Sequence, residues 1–403
     1  MESYAGIDWA TEEHALCVVD EAGATLAGEL YPHTEEGIRE VVARMRALGV
    51  CRVAIERPEG LLVERLMEAG LVVLPVHPNK LAATRPRYEV SGGKSDGFDA
   101  FCLAELARTD SHRLPVLRPQ ADETRALREL TRTREDLVGV RVRLGNQLRA
   151  QLDGFWPGAA RIFAAVDSQI ALAFLRRYPS PAETRGLGEK RLAGFLEREG
   201  YSGSRSAGEL LERLRSAPTR DLGAVEAEAR RAAVLGLVSA LEPIVAQIAA
   251  LGSRIARGVH AHPDGKVFAP LFRNRKSVLT TARLIAEIGD DRARYPNAEA
   301  LAANAGMAPV ARESGKRKTA FFRRACDKRL REAVSCLANS TRRHHPWARS
   351  VYLAARERGL DHPHAIRILG RAWLRVLWRC WQDEVPYDPA KHGNLRRLQM
   401  AGG

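Results

Sequence analysis

The chain has 403 residues, of which 45% are hydrophobic and 28% are charged. Because one hydrophobic core rarely serves more than about 250–300 residues, we expect several domains. There is no run of about 18 uncharged apolar residues, which predicts no membrane-spanning helix and no membrane partner. The acidic Glu2 and Asp8 do not fit a signal peptide. The six cysteines lack two-residue spacing, so we expect a reduced, cytoplasmic protein without a zinc ribbon or a disulfide framework.

The net charge of +14 is distributed unevenly along the chain. Residues 1–118 hold 13 basic and 19 acidic side chains, whereas residues 261–403 hold 28 and 13. A basic C-terminal third indicates a partner with a phosphate backbone, because Lys and Arg displace condensed counterions; a solubilising surface is the alternative. An acidic domain would repel a polyanion unless divalent cations lie between them, so this charge distribution also indicates bound divalent cations.

The first 118 residues predict a mixed α/β domain. Strands are expected at 4–9, 15–19 and 25–30, followed by a helix that Thr34 caps. A strand at 52–55, a helix at 61–69, a buried strand at 71–76 and a helix at about 96–108 follow. This order places a mixed sheet against helices.

The rest of the chain predicts helices. Leu130, Leu137 and Leu144 recur every seven residues, which predicts a coiled-coil helix at about 120–152. It would pair with a second long helix at 224–259, interrupted at Pro243, or with another subunit. We therefore divide the chain into residues 1–118, a helical coiled-coil region at 119–260 with an insertion near 159–222, and a mostly helical domain at 261–403. Residues 308–319 are expected to form an irregular basic loop.

Four carboxylates fall where α/β sheets present functional side chains. Asp8 lies inside the first predicted strand and Glu56 closes the fourth, at strand ends where such folds place their sites. Asp96 and Asp99 are three residues apart in the first turn of a helix, so we expect both on one face. Converging carboxylates repel one another unless cations neutralise them, and oxygen ligands favour Mg²⁺ or Mn²⁺. The alternatives are that Asp96 is only an N-cap and Glu56 only a surface residue.

The strand order and these four acids resemble the RNase H-like, RuvC-type nuclease fold. Residues 287–290 read Glu-Ile-Gly-Asp, residues 301–309 Leu-Ala-Ala-Asn-Ala-Gly-Met-Ala-Pro, and residues 314–316 Ser-Gly-Lys. Together these segments resemble the transposases of the DEDD insertion-sequence family, whose elements encode a bridge RNA and whose relatives include the Piv pilin-gene invertases. The resemblance covers residues 1–155 and 225–385.

The resemblance implies site-specific DNA recombination. It implies that Asp8, Glu56, Asp96 and Asp99 bind Mg²⁺ while a serine forms a covalent phosphoserine with DNA. Ser314 takes that role here, as the only serine between residues 277 and 335. Donor and target DNA, a structured guide RNA and a homo-oligomer are the implied partners. The alternative for the serine is a turn residue before a glycine.

A basic segment with two aromatic residues follows the serine. The candidate nucleic-acid-binding residues are Lys316, Arg317, Lys318, Arg323, Arg324, Lys328 and Arg329. Phe321 and Phe322 among them suit a folded RNA or a DNA backbone, unless both rings belong to the core.

Two other functions would use part of the same set. A RuvC-like endonuclease would hydrolyse branched DNA with water and would not need Ser314. A non-catalytic nucleic-acid-binding descendant would need neither the metal nor the serine.

Overall fold

A computed structural model describes residues 2–88, 95–271, 277–314 and 317–393. The chain forms two compact units, Met1–Ala121 and Asp122–Gly403. The second unit contains residues 122–260 of the predicted segment 119–260 together with the whole of 261–403. The reason is that its two longest helices contribute to both of its hydrophobic cores.

The first unit has the predicted succession of strands and helices. Its strands are β1 (Ser3–Trp9), β2 (Glu13–Val19), β3 (Thr25–Pro32), β4 (Val50–Ile55) and β5 (Val72–Pro75). Its helices are α1 (Glu35–Ala47), α2 (Leu61–Glu68), α3 (Pro78–Thr84) and α4 (Asp96–Asp110). Thr34 caps α1 as expected, since its hydroxyl accepts from the backbone N–H of Gly37. The prediction of a mixed α/β domain is confirmed.

The five strands form one sheet in the order β3-β2-β1-β4-β5. β1 runs antiparallel to β2 and parallel to β4, and β4 runs parallel to β5. Residues of α1 and α2 such as Ile38 and Leu66 pack on one face, together with Ile7 and Ile55. α4 covers the other face.

Gly6 allows α4 to approach β1 closely. A Cβ atom at Gly6 would lie 2.1 Å from the carbonyl oxygen of Ala100, a distance that no side chain tolerates. The N-terminal half of α4 therefore lies directly against the backbone of β1.

The second unit is mostly helical. It begins with α5 (Asp122–Asp153), followed by the short helices α6 (Pro157–Arg161), α7 (Gln169–Arg177), α8 (Glu189–Arg198) and α9 (Ala207–Arg215). After α10 (Ala224–Ala261) come α11 (Gly265–Phe268), α12 (Val278–Ile288), α13 (Ala298–Asn304), α14 (Lys328–Thr341), α15 (Pro346–Glu357) and α16 (His362–Gln382).

The two long helices α5 and α10 form an antiparallel hairpin within the chain. Leu127, near the start of α5, shares a core with Ile255 in the last turns of α10. Leu148, near the end of α5, shares the other core with Val234 in the first half of α10. Leu127 and Leu148 of α5 thus share cores with a helix of the same chain, which is one of the two pairings that the sequence left open.

The expected interruption of α10 at Pro243 is wrong. The helix continues through Pro243 for 38 residues, because buried side chains before and after the proline are held in the two cores. By length and apolar composition α10 could cross a membrane. Its buried residues Val234, Leu241 and Ile255 pack inside this unit.

The two cores lie at opposite ends of the helical hairpin. Trp156, which precedes α6, and residues of α7 and α8 such as Phe174 and Phe195 build one core, so the predicted insertion folds as a helical cluster. Residues of α12–α16 such as Leu337 and Trp373 build the other. There the expected irregular loop at 308–319 is wrong, because β6 (Val310–Ser314) and β7 (Arg317–Phe321) pair as an antiparallel hairpin.

Candidate functional site

Asp8 and Glu56 lie side by side at the carboxyl end of two parallel strands. In the β1–β4 pairing, Gly6 is opposite Ala54 and Ile7 is opposite Ile55. Asp8 follows Ile7 directly, and Glu56 follows Ile55. Because side chains alternate along a strand, Asp8 continues the face of Gly6, which α4 covers, and Glu56 follows the last residue of β4 at the same end of the sheet. Both residues are partly exposed.

Asp99 reaches the same face of the sheet from α4 and is neutralised there. Its side chain is buried, and both carboxylate oxygens accept hydrogen bonds from Arg85, from Nε at 2.5 Å and from Nη2 at 2.8 Å. These bonds raise the pKa of the Arg85 guanidinium, and Glu56 lies close enough to raise it as well. A bidentate pair of this kind compensates the cost of burying a carboxylate.

Asp96 differs from Asp99 although both belong to the first turn of α4. Asp96 is exposed, and the cap of the helix is Ser95, whose hydroxyl accepts from the backbone N–H of Phe98 at 3.2 Å. The interpretation of Asp96 as the N-cap is therefore wrong.

The four acids have the donor chemistry that Mg²⁺ prefers, since all are carboxylates. In the described part of the chain, however, no group of three or more His, Cys, Asp or Glu side chains is arranged to hold a metal ion. The arrangement shows a neighbouring pair, Asp8 and Glu56, and a third acid that Arg85 neutralises. The donor types fit a divalent cation, and Arg85 would have to release Asp99 for that acid to take part.

The residues next to Asp8 and Glu56 in the sequence, Trp9 and Arg57, contact each other. The Arg57 guanidinium lies 4.0 Å from the ring centre of Trp9. Next to that ring, His14 and His33 share a hydrogen bond of 2.8 Å between their ring nitrogens. Burial, and to a smaller extent His33, lowers the pKa of His14 to about 4. These contacts hold the carboxyl ends of β1 and β4 in place.

Ser314 lies in the second unit, whereas all four acids lie in the first. It is the last residue of β6, it is exposed, and it pairs with Arg317 of β7. The hairpin therefore carries the hydroxyl at its tip. Lys316 and the side chains of Arg317 and Lys318, which were predicted to bind nucleic acid, lie outside the described residues.

The other predicted basic residues divide into two groups. Arg324 and Lys328 are exposed, and Arg323 is partly buried and donates to the carbonyl oxygen of Ala308 at 3.2 Å. Arg329 instead forms ion pairs of 3.0 Å with both Glu135 and Asp136 of α5. These ion pairs join α14 to α5.

Phe321 and Phe322 are exposed to 48% and 46%, so the alternative that both belong to the core is wrong. Arginines cover these rings. Arg312 lies 5.1 Å from the centre of Phe321, and Arg331 and Arg367 lie 4.6 and 4.8 Å from the centre of Phe322. Sequence reasoning missed Arg367, because it follows Phe322 by 45 residues. It also missed Arg85, which precedes its partner Asp99 by 14 residues with no motif between them.

Two family models match the chain. The DEDD transposase model of IS110, described as "Transposase", matches residues 5–157. A second model, described as "Transposase IS116/IS110/IS902 family", matches residues 277–353. The first range contains Asp8, Glu56, Asp96 and Asp99, and the second contains Ser314.

Proteins of insertion elements are similar over nearly the whole chain. The "Mini-circle putative transposase for IS117" of Streptomyces coelicolor is 31% identical over 96% of this chain and 95% of its own. The "Insertion element IS900 uncharacterized 42 kDa protein" of Mycobacterium paratuberculosis is 30% identical over 96% and 97%. Among solved structures, T. thermophilus RuvC in complex with a Holliday junction substrate is matched over 29% of this chain and 100% of that one, with 18% identity and a TM-score of 0.23.

Proposed function

The chain belongs to the IS116/IS110/IS902 family of transposases, and from that premise we propose that it cuts and rejoins DNA strands through a covalent phosphoserine on Ser314. In this proposal Mg²⁺ (or Mn²⁺) is bound by the four acids, and a structured RNA from the same element selects the DNA. The observation that carries the proposal is the parallel pairing of β1 with β4, because Asp8 and Glu56 follow the paired residues Ile7 and Ile55 at the same end of the sheet.

Asp8 and Glu56 would hold the metal, and Asp96 and Asp99 would complete the donor set. A bound divalent cation would neutralise the carboxylates and polarise a DNA phosphate. The partial exposure of Asp8 and Glu56 supports this role, because a phosphate must reach the same edge of the sheet. The acidic N-terminal and basic C-terminal regions support a polyanionic substrate.

Ser314 would supply the nucleophile. The bond between its Oγ and phosphorus forms, one phosphodiester P–O bond breaks, the serine loses its proton and the leaving oxygen gains one. The position of Ser314 at the exposed tip of the hairpin supports this role. Because the acids and the serine belong to different units, we propose that they meet on DNA within a homo-oligomer whose subunits exchange strands.

The test is a covalent adduct that survives denaturation. End-labelled DNA from the element, the RNA that co-purifies with the protein, and Mg²⁺ are mixed with the full chain and separated in detergent. We expect an adduct with the wild type and with Ser340→Ala, which removes another exposed serine of the same unit, and none with Ser314→Ala. An undiminished adduct in Ser314→Ala contradicts the assignment of the nucleophile.

The second candidate is a Mg²⁺-dependent endonuclease that hydrolyses branched DNA with water. It is favoured by the location of all four acids in one unit that does not include Ser314. It predicts DNA cleavage without an adduct and full cleavage by Ser314→Ala. Both candidate functions predict that Glu56→Gln loses DNA cleavage, so this variant does not distinguish between them.

A further inference from the structure

A cleft of about 330 Å³ opens in the second unit beside the β6–β7 hairpin. Its walls are the hairpin, the segment 306–309 that precedes it, and α16; we call it the hairpin cleft. Its floor includes the apolar side chains of Met307, Pro309, Ile368 and Ala372. Phe321 and Phe322 form the wall on the side of the hairpin.

The hairpin cleft carries an excess of positive charge. Arg323, Arg367, Arg371 and Arg375 line it, and within the described part of the chain none of the lining residues is acidic. Arg371 and Arg375 share a single carboxylate, that of Glu299, at 2.7 and 2.8 Å. One acid therefore compensates two of the four arginines, which leaves a cavity that attracts an anion.

The aromatic rings of the hairpin cleft are positioned by arginines. The guanidinium of Arg367 lies over Phe322 at 4.8 Å, and that of Arg312 lies over Phe321 at 5.1 Å. Stacked guanidinium groups keep their N–H edges available for phosphate oxygens. Large exposed rings beside such groups are the surface on which unpaired bases stack.

We propose that the hairpin cleft binds one unpaired nucleotide, with its base against Phe321 and the apolar floor and its phosphate on Arg367 and Arg323. This inference rests on the proposed function and specifies how a strand is held at the base of the hairpin, where Phe321 pairs with Val310, while Ser314 lies at the tip of the same hairpin. A base stacked inside a duplex cannot reach a ring in a cleft, so the occupant is a single strand.

Two variants separate the two contacts. A fluorescein-labelled mixed-sequence 12-mer, as DNA and as RNA, is titrated by anisotropy at several salt concentrations, without divalent ions and in a Ser314→Ala background. Arg367→Gln should weaken binding several-fold and reduce the salt slope by about 0.7, the value for one phosphate contact on a single strand. Phe321→Leu should weaken binding about tenfold and leave the slope unchanged, because stacking is not ionic. Arg358→Gln, which removes an exposed arginine at the end of α15, should change neither quantity.

Three results would overturn the inference: equal slope changes in Arg367→Gln and Arg358→Gln, unchanged affinity in Phe321→Leu, or a duplex probe with the same dependence on Phe321. If Phe321→Leu does not fold, the wild type with an abasic 12-mer gives the same information, and equal binding of the abasic and intact strands overturns stacking. If the RNA 12-mer binds more tightly than the DNA 12-mer, the occupant of the cleft is the guide RNA. If the DNA 12-mer binds more tightly, the occupant is the DNA substrate. Because Ser314 and metal are absent from the assay, its outcome is independent of the adduct experiment.

Discussion

Replacing Arg85 by methionine removes the cation that neutralises Asp99 and leaves a carboxylate side chain of 3% exposure without this partner. Breaking a buried ion pair costs about 3–5 kcal/mol; because the Arg85 side chain retains 26% exposure, we expect the lower end, about 3 kcal/mol. Hydrogen exchange of the peptides of β1 and α4 measures this loss in the first unit alone.

The same variant tests the metal site. Mg²⁺ at about 100 times its Kd adds roughly 2.7 kcal/mol to a protein that binds it only when folded. In Arg85→Met we expect Mg²⁺ to recover most of the lost protection, because Asp99 is then available to the cation. In the wild type the gain should be smaller, because Arg85 must first be displaced.

Arg108→Met is the matched control. Arg108 pairs with Glu105 of the same helix, with side-chain exposures of 24% and 5% against 26% and 3% for Arg85 and Asp99. Glu105 keeps the hydroxyl of Tyr88 at 3.0 Å, so the loss should be smaller. Mg²⁺ should not restore it, because Glu105 lies more than one turn along α4 from Asp99. Equal Mg²⁺ stabilisation of wild type and Arg85→Met would refute the competition between Arg85 and the cation.

Three further predictions concern the framework of the two units. Gly6→Ala should force α4 away from β1 and abolish hydrogen-exchange protection of the first unit, whereas Gly28→Ala, with no atom within 4 Å of the added Cβ, should not. The pKa of His14 is about 4 in the folded protein and about 6.5 in the unfolded chain. The contribution of His14 to the free energy of unfolding should therefore be complete above pH 6.5 and fall by up to about 3 kcal/mol towards pH 4. Urea titrations should find this pH dependence flattened in His14→Gln. Glu287→Gln should cost about 2 kcal/mol in urea unfolding, because buried Glu287 accepts two hydrogen bonds from Arg132, and should not alter the Mg²⁺ stabilisation described above.

The elements of the first unit could be predicted from the sequence because each has a local signal. Short apolar runs between turn residues mark strands such as β2 and β5, and Thr34 caps α1 through its own hydroxyl. The β6–β7 hairpin could not, because its sequence is largely polar and lacks the apolar run that marks a strand, and the described side chains of β6 are mostly exposed. At Pro243 the local signal gave the wrong prediction. Proline usually interrupts a helix, but here the packing of side chains on both sides of it keeps α10 continuous.

The sequence by itself determined the order of strands and helices, the excess of basic charge in the last third, and the carboxylates at strand ends, since these depend on residue type and spacing along the chain. Only the tertiary structure decided which charged side chains are paired with other residues of the chain and which can contact a ligand. Arg85 meets Asp99, Arg329 meets Glu135, and Arg367 lies over Phe322 through contacts between distant segments. An ion pair or a stacked ring depends on separations of a few ångströms in space, and spacing along the chain does not fix those distances.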